Sequence, residues 1–210
     1  MNRIFSLIIF LLFIFNTSYA QNYKPLENRE AFLKIYKEKA KATASLTSDF
    51  TQMKTISMLE KKLISEGRFC YKSPSKVRME YIKPFAFLFI LNNDRVIIRS
   101  NQKETTIPTS SNKIFKIISQ ITVDCVSGDV FDNKNFKSSI LESNTQYEVT
   151  LIPTFKELES ILKEIKVIVS KKDYTVDRIE MSEVSGDFTQ IVFKNKEINP
   201  SVPDATFTGN

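Results

Sequence analysis

The chain contains no histidine and no tryptophan, only two cysteines and four glycines, in 210 residues. Without histidine, the commonest general base and metal ligand is missing, and Ser-His and Cys-His nucleophile schemes go with it. Two cysteines without histidine cannot make an ordinary zinc site. Isolated glycines cannot build a phosphate-cradling loop. Asp129, Asp132, Asn133 and Asn135 cluster, but lack the glycine and terminal glutamate of a calcium loop, so a solvated turn is expected. No enzyme, metal or cofactor is expected. A hydrolase acting on lipid esters is the rival from another class.

A long apolar run occurs once, at the start. Arg3 precedes Ile4 to Phe15, and Ser18-Tyr19-Ala20 reads as a small-x-small cleavage site. Spanning a bilayer takes about 20 apolar residues, so residues 1–20 are read as a secretory signal cut after Ala20. Residues 21–210 are read as one exported domain. No cysteine stands at the cut to accept a lipid. The net charge of +6 is spread along the chain rather than gathered in basic runs. It implies a solvated surface and a weak attraction to anionic headgroups, not a nucleic-acid partner. In an exported protein Cys70 and Cys125 have two open readings, free buried thiols or a disulfide. The bridge would close a loop of about 55 residues, worth roughly 4 kcal/mol on the chain-entropy model.

What the sequence does hold is alternation. Asn28 caps a helix with the stripe Ala31, Phe32, Ile35 and Tyr36. From Leu46 the period becomes 2, and strands follow over 64–72, 76–82, 85–91 and 96–100, joined by short turns at Ser73-Pro74-Ser75 and Asn92-Asn93-Asp94. Ile114, Phe115, Ile117, Ile118 and Ile121 then form one helical face. Strands return at 130–131, 136–142 and 147–152. Thr154 and Glu157 read as a capping box for a third amphipathic helix carrying Phe155, Leu158, Ile161, Leu162 and Ile165. A strand over 166–170 and a hairpin of 176–184 with 188–194 complete the chain. The expected class is α+β, dominated by a curved antiparallel sheet with helices on one side.

One strand breaks the pattern. Phe85, Phe87 and Phe89 lie on one face, while Ala86, Leu88 and Ile90 lie on the other. An antiparallel sheet with one wet face should alternate apolar with polar. Most of these side chains fill an ordinary core, but together they suggest a sheet wrapped around an apolar cavity.

The order of Phe50-Thr51-Gln52, Gly67, Lys72-Ser73-Pro74, Arg78-Met79-Glu80-Tyr81, Pro84 and Asn92-Asn93-Asp94 resembles the periplasmic outer-membrane lipoprotein carriers of the LolA family. Gly186-Asp187-Phe188-Thr189, Asn199 and Phe207 continue the resemblance to the end of the chain. It implies an incomplete, half-open antiparallel β-barrel with helices as a lid over an apolar cavity. It further implies a periplasmic, monomeric carrier of lipoproteins through their acyl chains. Its partners would be an inner-membrane ABC transporter that releases lipoproteins and, at the far end, an outer-membrane acceptor or that membrane itself. A carrier of another amphiphile, such as a glycolipid or pigment ester, is the alternative. The cavity wall is expected from Phe69, Tyr71, Val77, Met79, Tyr81, Phe87 and Phe89, and the lid from Ile114, Phe115 and Ile118. The family has arginine where Ser73 stands, a residue implied to tie the lid; Lys72 is the expected partial substitute.

Overall fold

The computed structural model describes residues 22–101, 103–109, 121, 123–125, 127–131 and 133–209. The signal segment and the lid residues Ile114, Phe115 and Ile118 therefore lie outside the described residues, as does most of the helix expected around them.

Twelve strands form one antiparallel sheet: β1 (Lys24–Pro25), β2 (Ser45–Ile56), β3 (Lys61–Lys72), β4 (Lys76–Lys83), β5 (Phe87–Asn92), β6 (Arg95–Ser100), β7 (Lys103–Pro108), β8 (Phe136–Glu142), β9 (Gln146–Pro153), β10 (Leu162–Ser170), β11 (Val176–Glu183) and β12 (Phe188–Ile198). Their spatial order is β1-β8-β9-β10-β11-β12-β2-β3-β4-β5-β6-β7, so among the described residues β1 and β7 are the edges and the barrel stays half open. β7 has no counterpart among the expected strands. Its sequence, K-E-T-T-I-P, lacks apolar alternation because it is an edge with little to bury.

Register places successive apolar positions in rows across the concave face. Ser48 faces Phe69, which faces Met79, which faces Phe89 and then Ile98. A second row runs from Gln52 through Ile191, Ile179 and Val167 to Val149 and Ile140.

Helix α1 (Arg29–Lys41) starts as expected, with Asn28 Oδ1 accepting from the Ala31 amide at 2.9 Å. Its buried stripe is Phe32, Tyr36 and Ala40, spaced by four; Ala31 and Ile35 face outward. Phe32 and Tyr36 stack on each other and both meet the Phe131 ring edge to face, and the Tyr36 phenol donates to the Cys125 carbonyl at 2.6 Å. Helical residues Ile121, Val123 and Cys125 are buried beside α1, Ile121 and Cys125 in the cluster that holds Phe32 and Tyr36 and Val123 in the neighbouring one.

Two expected elements differ. Residues 129–131 form a 3-10 turn rather than a strand. The helix expected from Thr154 is a single turn, α2 (Lys156–Glu159), after which Leu162 already opens β10. Thr154 is no cap: the cap position falls on Phe155, and the Thr154 hydroxyl instead donates to the Lys134 carbonyl at 3.1 Å. Leu158, Leu162 and Ile165 satisfy a helical spacing, but the β-branched run Val167-Ile168-Val169 propagates as strand and draws Leu162 into the ladder opposite Glu183.

The convex face of β3 to β6 is covered by the C-terminal segment. Phe207 is fully buried there against Cys70, Leu88 and Ile90. Arg78 donates to the Thr206 carbonyl at 3.1 Å, Asn92 to the Phe207 carbonyl at 3.1 Å, and Lys72 to the Val202 carbonyl at 2.8 Å. The two apolar faces of β5 thus have separate covers. Lys72, bonded also to Asp204 at 2.7 Å, serves this convex clamp; the lid it was expected to tie lies outside the described residues.

Both cysteines are free and buried. Cys70 packs under Phe207 on the convex side, Cys125 beside Tyr36 on the concave side, and the sheet separates them. The disulfide reading is corrected accordingly.

Candidate functional site

The concave face encloses a cavity of about 560 Å³, within the range of roughly 300–1,000 Å³ usual for small-molecule sites. Strands β2 to β5 supply one wall and β10 to β12 the other, with Ala40 of α1 and helical residues Ile121 and Cys125 between them.

Of the expected wall residues, Phe69, Met79, Tyr81, Phe87 and Phe89 line the cavity. Tyr71 and Val77 point to the same face but do not reach it. They are sealed into a core with Leu46, Leu91, Val96 and Val123, which is the correction the structure makes to that assignment. Val123 is the reason: it brings a helical turn down onto that row of the sheet and closes it.

The second wall was not expected from the sequence. Leu162, Ile165, Ile179, Met181, Ile191 and Phe193 face the cavity from β10, β11 and β12. The signal was present in the alternation of Ile179 and Met181 with Arg178, Glu180 and Ser182, and of Ile191 and Phe193 with Gln190, Val192 and Lys194. Met79 and Met181 oppose each other's walls with unbranched, polarizable side chains that repack around variable shapes.

Gly67 makes a notch in the first wall. It pairs with Phe50 on one side and Tyr81 on the other, and the two rings meet edge to face with centroids 5.0 Å apart. The Tyr81 phenol reaches on to Gln52. Burial pushes that phenol up to about 12.

Polar groups gather at the two ends. At one, Lys196 donates to Asp177 and to the Thr175 hydroxyl, each at 2.5 Å, from the bulge that interrupts β12. Asp173, beside it, is held below its usual value: burial works the other way, but bonds from the Thr175 hydroxyl and amide and the charge of Lys196 win. At the opposite end Lys54 lies 3.6 Å from Glu183. In the wall between, the Ser48 hydroxyl is buried with no hydrogen-bond partner among the described residues. Such a surface can hold an apolar chain, with polar groups left to meet whatever the chain is attached to. Among the described residues no group of histidine, cysteine or carboxylate side chains could hold a metal ion.

A family model described as outer membrane lipoprotein carrier protein LolA matches residues 41–210. Curated proteins contain no matching sequence. Among solved structures, the complex of MucA and MucB from Pseudomonas aeruginosa gives a TM-score of 0.52 at 8% identity, over 86% of this chain and 60% of that one. An uncharacterized conserved protein from Thermus thermophilus gives 0.51 at 10% identity, over 84% and 91%. A LolA superfamily protein from Nitrosomonas europaea gives 0.43 at 9% identity, over 84% and 97%.

Proposed function

Because the chain belongs to the LolA family of outer membrane lipoprotein carriers, we propose that its cavity receives the acyl chains of lipoproteins and that the protein carries them through the periplasm from the inner to the outer membrane. The observation that carries this reading is the apolar cavity of about 560 Å³ between two walls rich in Phe, Ile and Met. An acyl chain exposed to water costs about 0.8 kcal/mol per CH₂, so about sixteen carbons represent roughly 12 kcal/mol. A carrier that offsets most of this, through contacts soft enough to reverse, moves its cargo without spending nucleotide. The notched, methionine-bearing walls suit such reversible filling. Cargo enters from an ABC transporter that extracts lipoproteins, and leaves to an acceptor at the outer membrane or to that membrane itself.

Native mass spectrometry of protein recovered from the periplasm tests the reading. The expected result is a bound species whose mass is that of an acylated polypeptide, released by organic solvent. A bound glycolipid or pigment ester would replace lipoprotein with another amphiphile. Protein that is ligand-free in every preparation, and that displaces no fluorescent fatty-acid analogue, would overturn the reading altogether. Turnover of acyl esters by the pure protein would overturn it in favour of a hydrolase.

A further inference from the structure

The β2–β3 hairpin runs past its neighbour. Pairing between β3 and β4 begins only at Glu66 with Lys83, so residues 61–65 stand clear of β4 as the flank of an arm. Its tip is the short turn Ser57–Leu59, closed by Glu60 in the left-handed region. Met58 at the tip is 90% exposed and Ile64 on the flank 60%; Phe85, in the loop after β4 at the same end of the sheet, is 80% exposed. Leu59, Leu63 and Ile82 are exposed there as well. Single exposed apolar residues need no explanation, but six large ones at one end form a patch of the kind that marks an interaction surface.

The shape of the patch selects the partner. Leu63 stands opposite Lys54 and so shares the concave face, while Ile64 stands opposite Met53 on the convex face. Apolar side chains therefore surround the arm on both faces and at its tip. A protein groove would cover one of these sides; a lipid interface wets all of them. Exposed Lys61 and Lys62 sit immediately behind the tip, where long basic side chains reach anionic headgroups while their stems stay in the apolar layer.

The arm is also fixed to the cavity's end. The Ser57 amide donates to Asp187 Oδ1 at 3.0 Å, and Lys54 reaches both Glu183 and Asp187. Lys54, Glu183 and Ile161 all line the cavity.

We propose that the β2–β3 arm, through Met58, Leu59, Leu63 and Ile64 with Lys61 and Lys62 behind them, docks onto the surface of an anionic lipid bilayer. Docking sets the Lys54–Ile161 end of the cavity against the bilayer. That last step, as a route for cargo, rests on the carrier reading above; the docking itself does not.

The absence of tryptophan supplies a clean reporter. Met58→Trp places a single indole on the tip, at a position exposed enough to accept it. With vesicles of phosphatidylglycerol and phosphatidylethanolamine, its emission should shift to the blue and be quenched by brominated acyl chains, and the protein should float with the vesicles. Leu59→Glu on the same background should reduce flotation at least tenfold while leaving displacement of a fatty-acid analogue from the cavity unchanged. An unshifted emission with no flotation overturns the proposal, and directs the patch to a protein partner instead. Equal flotation with pure phosphatidylcholine overturns the part assigned to Lys61 and Lys62. Docking with intact flotation but no analogue binding would sink the carrier reading and leave the arm's role standing.

Discussion

The Tyr81 phenol donates a 2.8 Å hydrogen bond to Gln52 Oε1, joining β4 to β2 over the strand that lies between them. The contact exists because Gly67, the β3 residue beneath it, has no side chain. Phe50 and Tyr81 close over the notch, and the cavity wall there is aromatic rather than aliphatic.

Adding a methyl group at Gly67 should therefore disrupt the wall. A Cβ there would lie 2.2 Å from the Glu80 carbonyl oxygen and 2.6 Å from the Phe50 ring. The ring can swing aside but the backbone oxygen cannot. Gly67→Ala is expected to cost at least about 1–3 kcal/mol, the range for overpacking, read as a lower urea midpoint. An unchanged midpoint would mean that β3 and β4 can separate freely at this point.

Removing only the phenol oxygen isolates the bond. Tyr81→Phe should destabilise by about 1–2 kcal/mol, since Gln52 loses its partner in a half-buried wall. The same variant has a pH signature. Burial lifts the native Tyr81 phenol from 10.0 to about 12, so above pH 10.0 the unfolded chain sheds this proton while the native protein retains it. The native state then binds more protons, and stability falls as pH rises towards about 12. The difference between wild type and Tyr81→Phe in urea midpoint should shrink over that interval; a difference that grows with pH would contradict the assignment.

Charge placed in the middle of the wall should abolish binding without unfolding the sheet. Met79→Glu and Phe89→Lys both face the cavity, and an unpaired charge against an acyl chain costs several kcal/mol. Affinity for a fluorescent fatty-acid analogue should drop at least about a hundredfold, with far-ultraviolet circular dichroism retained. Ile35→Glu, on the outer face of α1, should leave affinity unchanged. Equal binding by all three variants would place the acyl site elsewhere.

The thiols should be present but silent. Burial raises the Cys70 thiol and pushes the Cys125 thiol up to about 12, the latter helped by Asp124. Since the thiolate is the reactive form, a disulfide reagent near neutral pH should label the native protein slowly. In denaturant without reductant it should titrate both cysteines at once. Fewer than two equivalents in denaturant would mean that the cysteines are joined.

How far the amino-acid order alone carried these conclusions depends on which physical signal is local. Alternation is local, so the strand faces bearing Phe69, Met79, Tyr81, Phe87 and Phe89 could be read directly, as could the Asn28 cap. The turn at Asn93 needs only a residue that tolerates a positive φ, here 55°. The third helix failed because Leu158, Leu162 and Ile165 keep a helical spacing, while in the strand only the irregularity between Leu162 and Glu164 brings Leu162 and Ile165 to one face, and that is visible only in the pairing with β11. Tyr71 and Phe69 show the same limit. Both belong to one alternating run on one strand, yet Phe69 lines the cavity while Tyr71 is sealed beneath Val123, some fifty residues away in sequence.

Residue order by itself thus determined a curved antiparallel sheet, the absence of histidine chemistry and which side chains share a face, because these follow from backbone periodicity and composition. Tertiary structure alone decided where the sheet is hollow and where it is filled, that Phe207 covers the convex side, and that the β2–β3 arm stands clear of β4. Each of those depends on what packs opposite a surface, and no spacing within a strand records its distant neighbour.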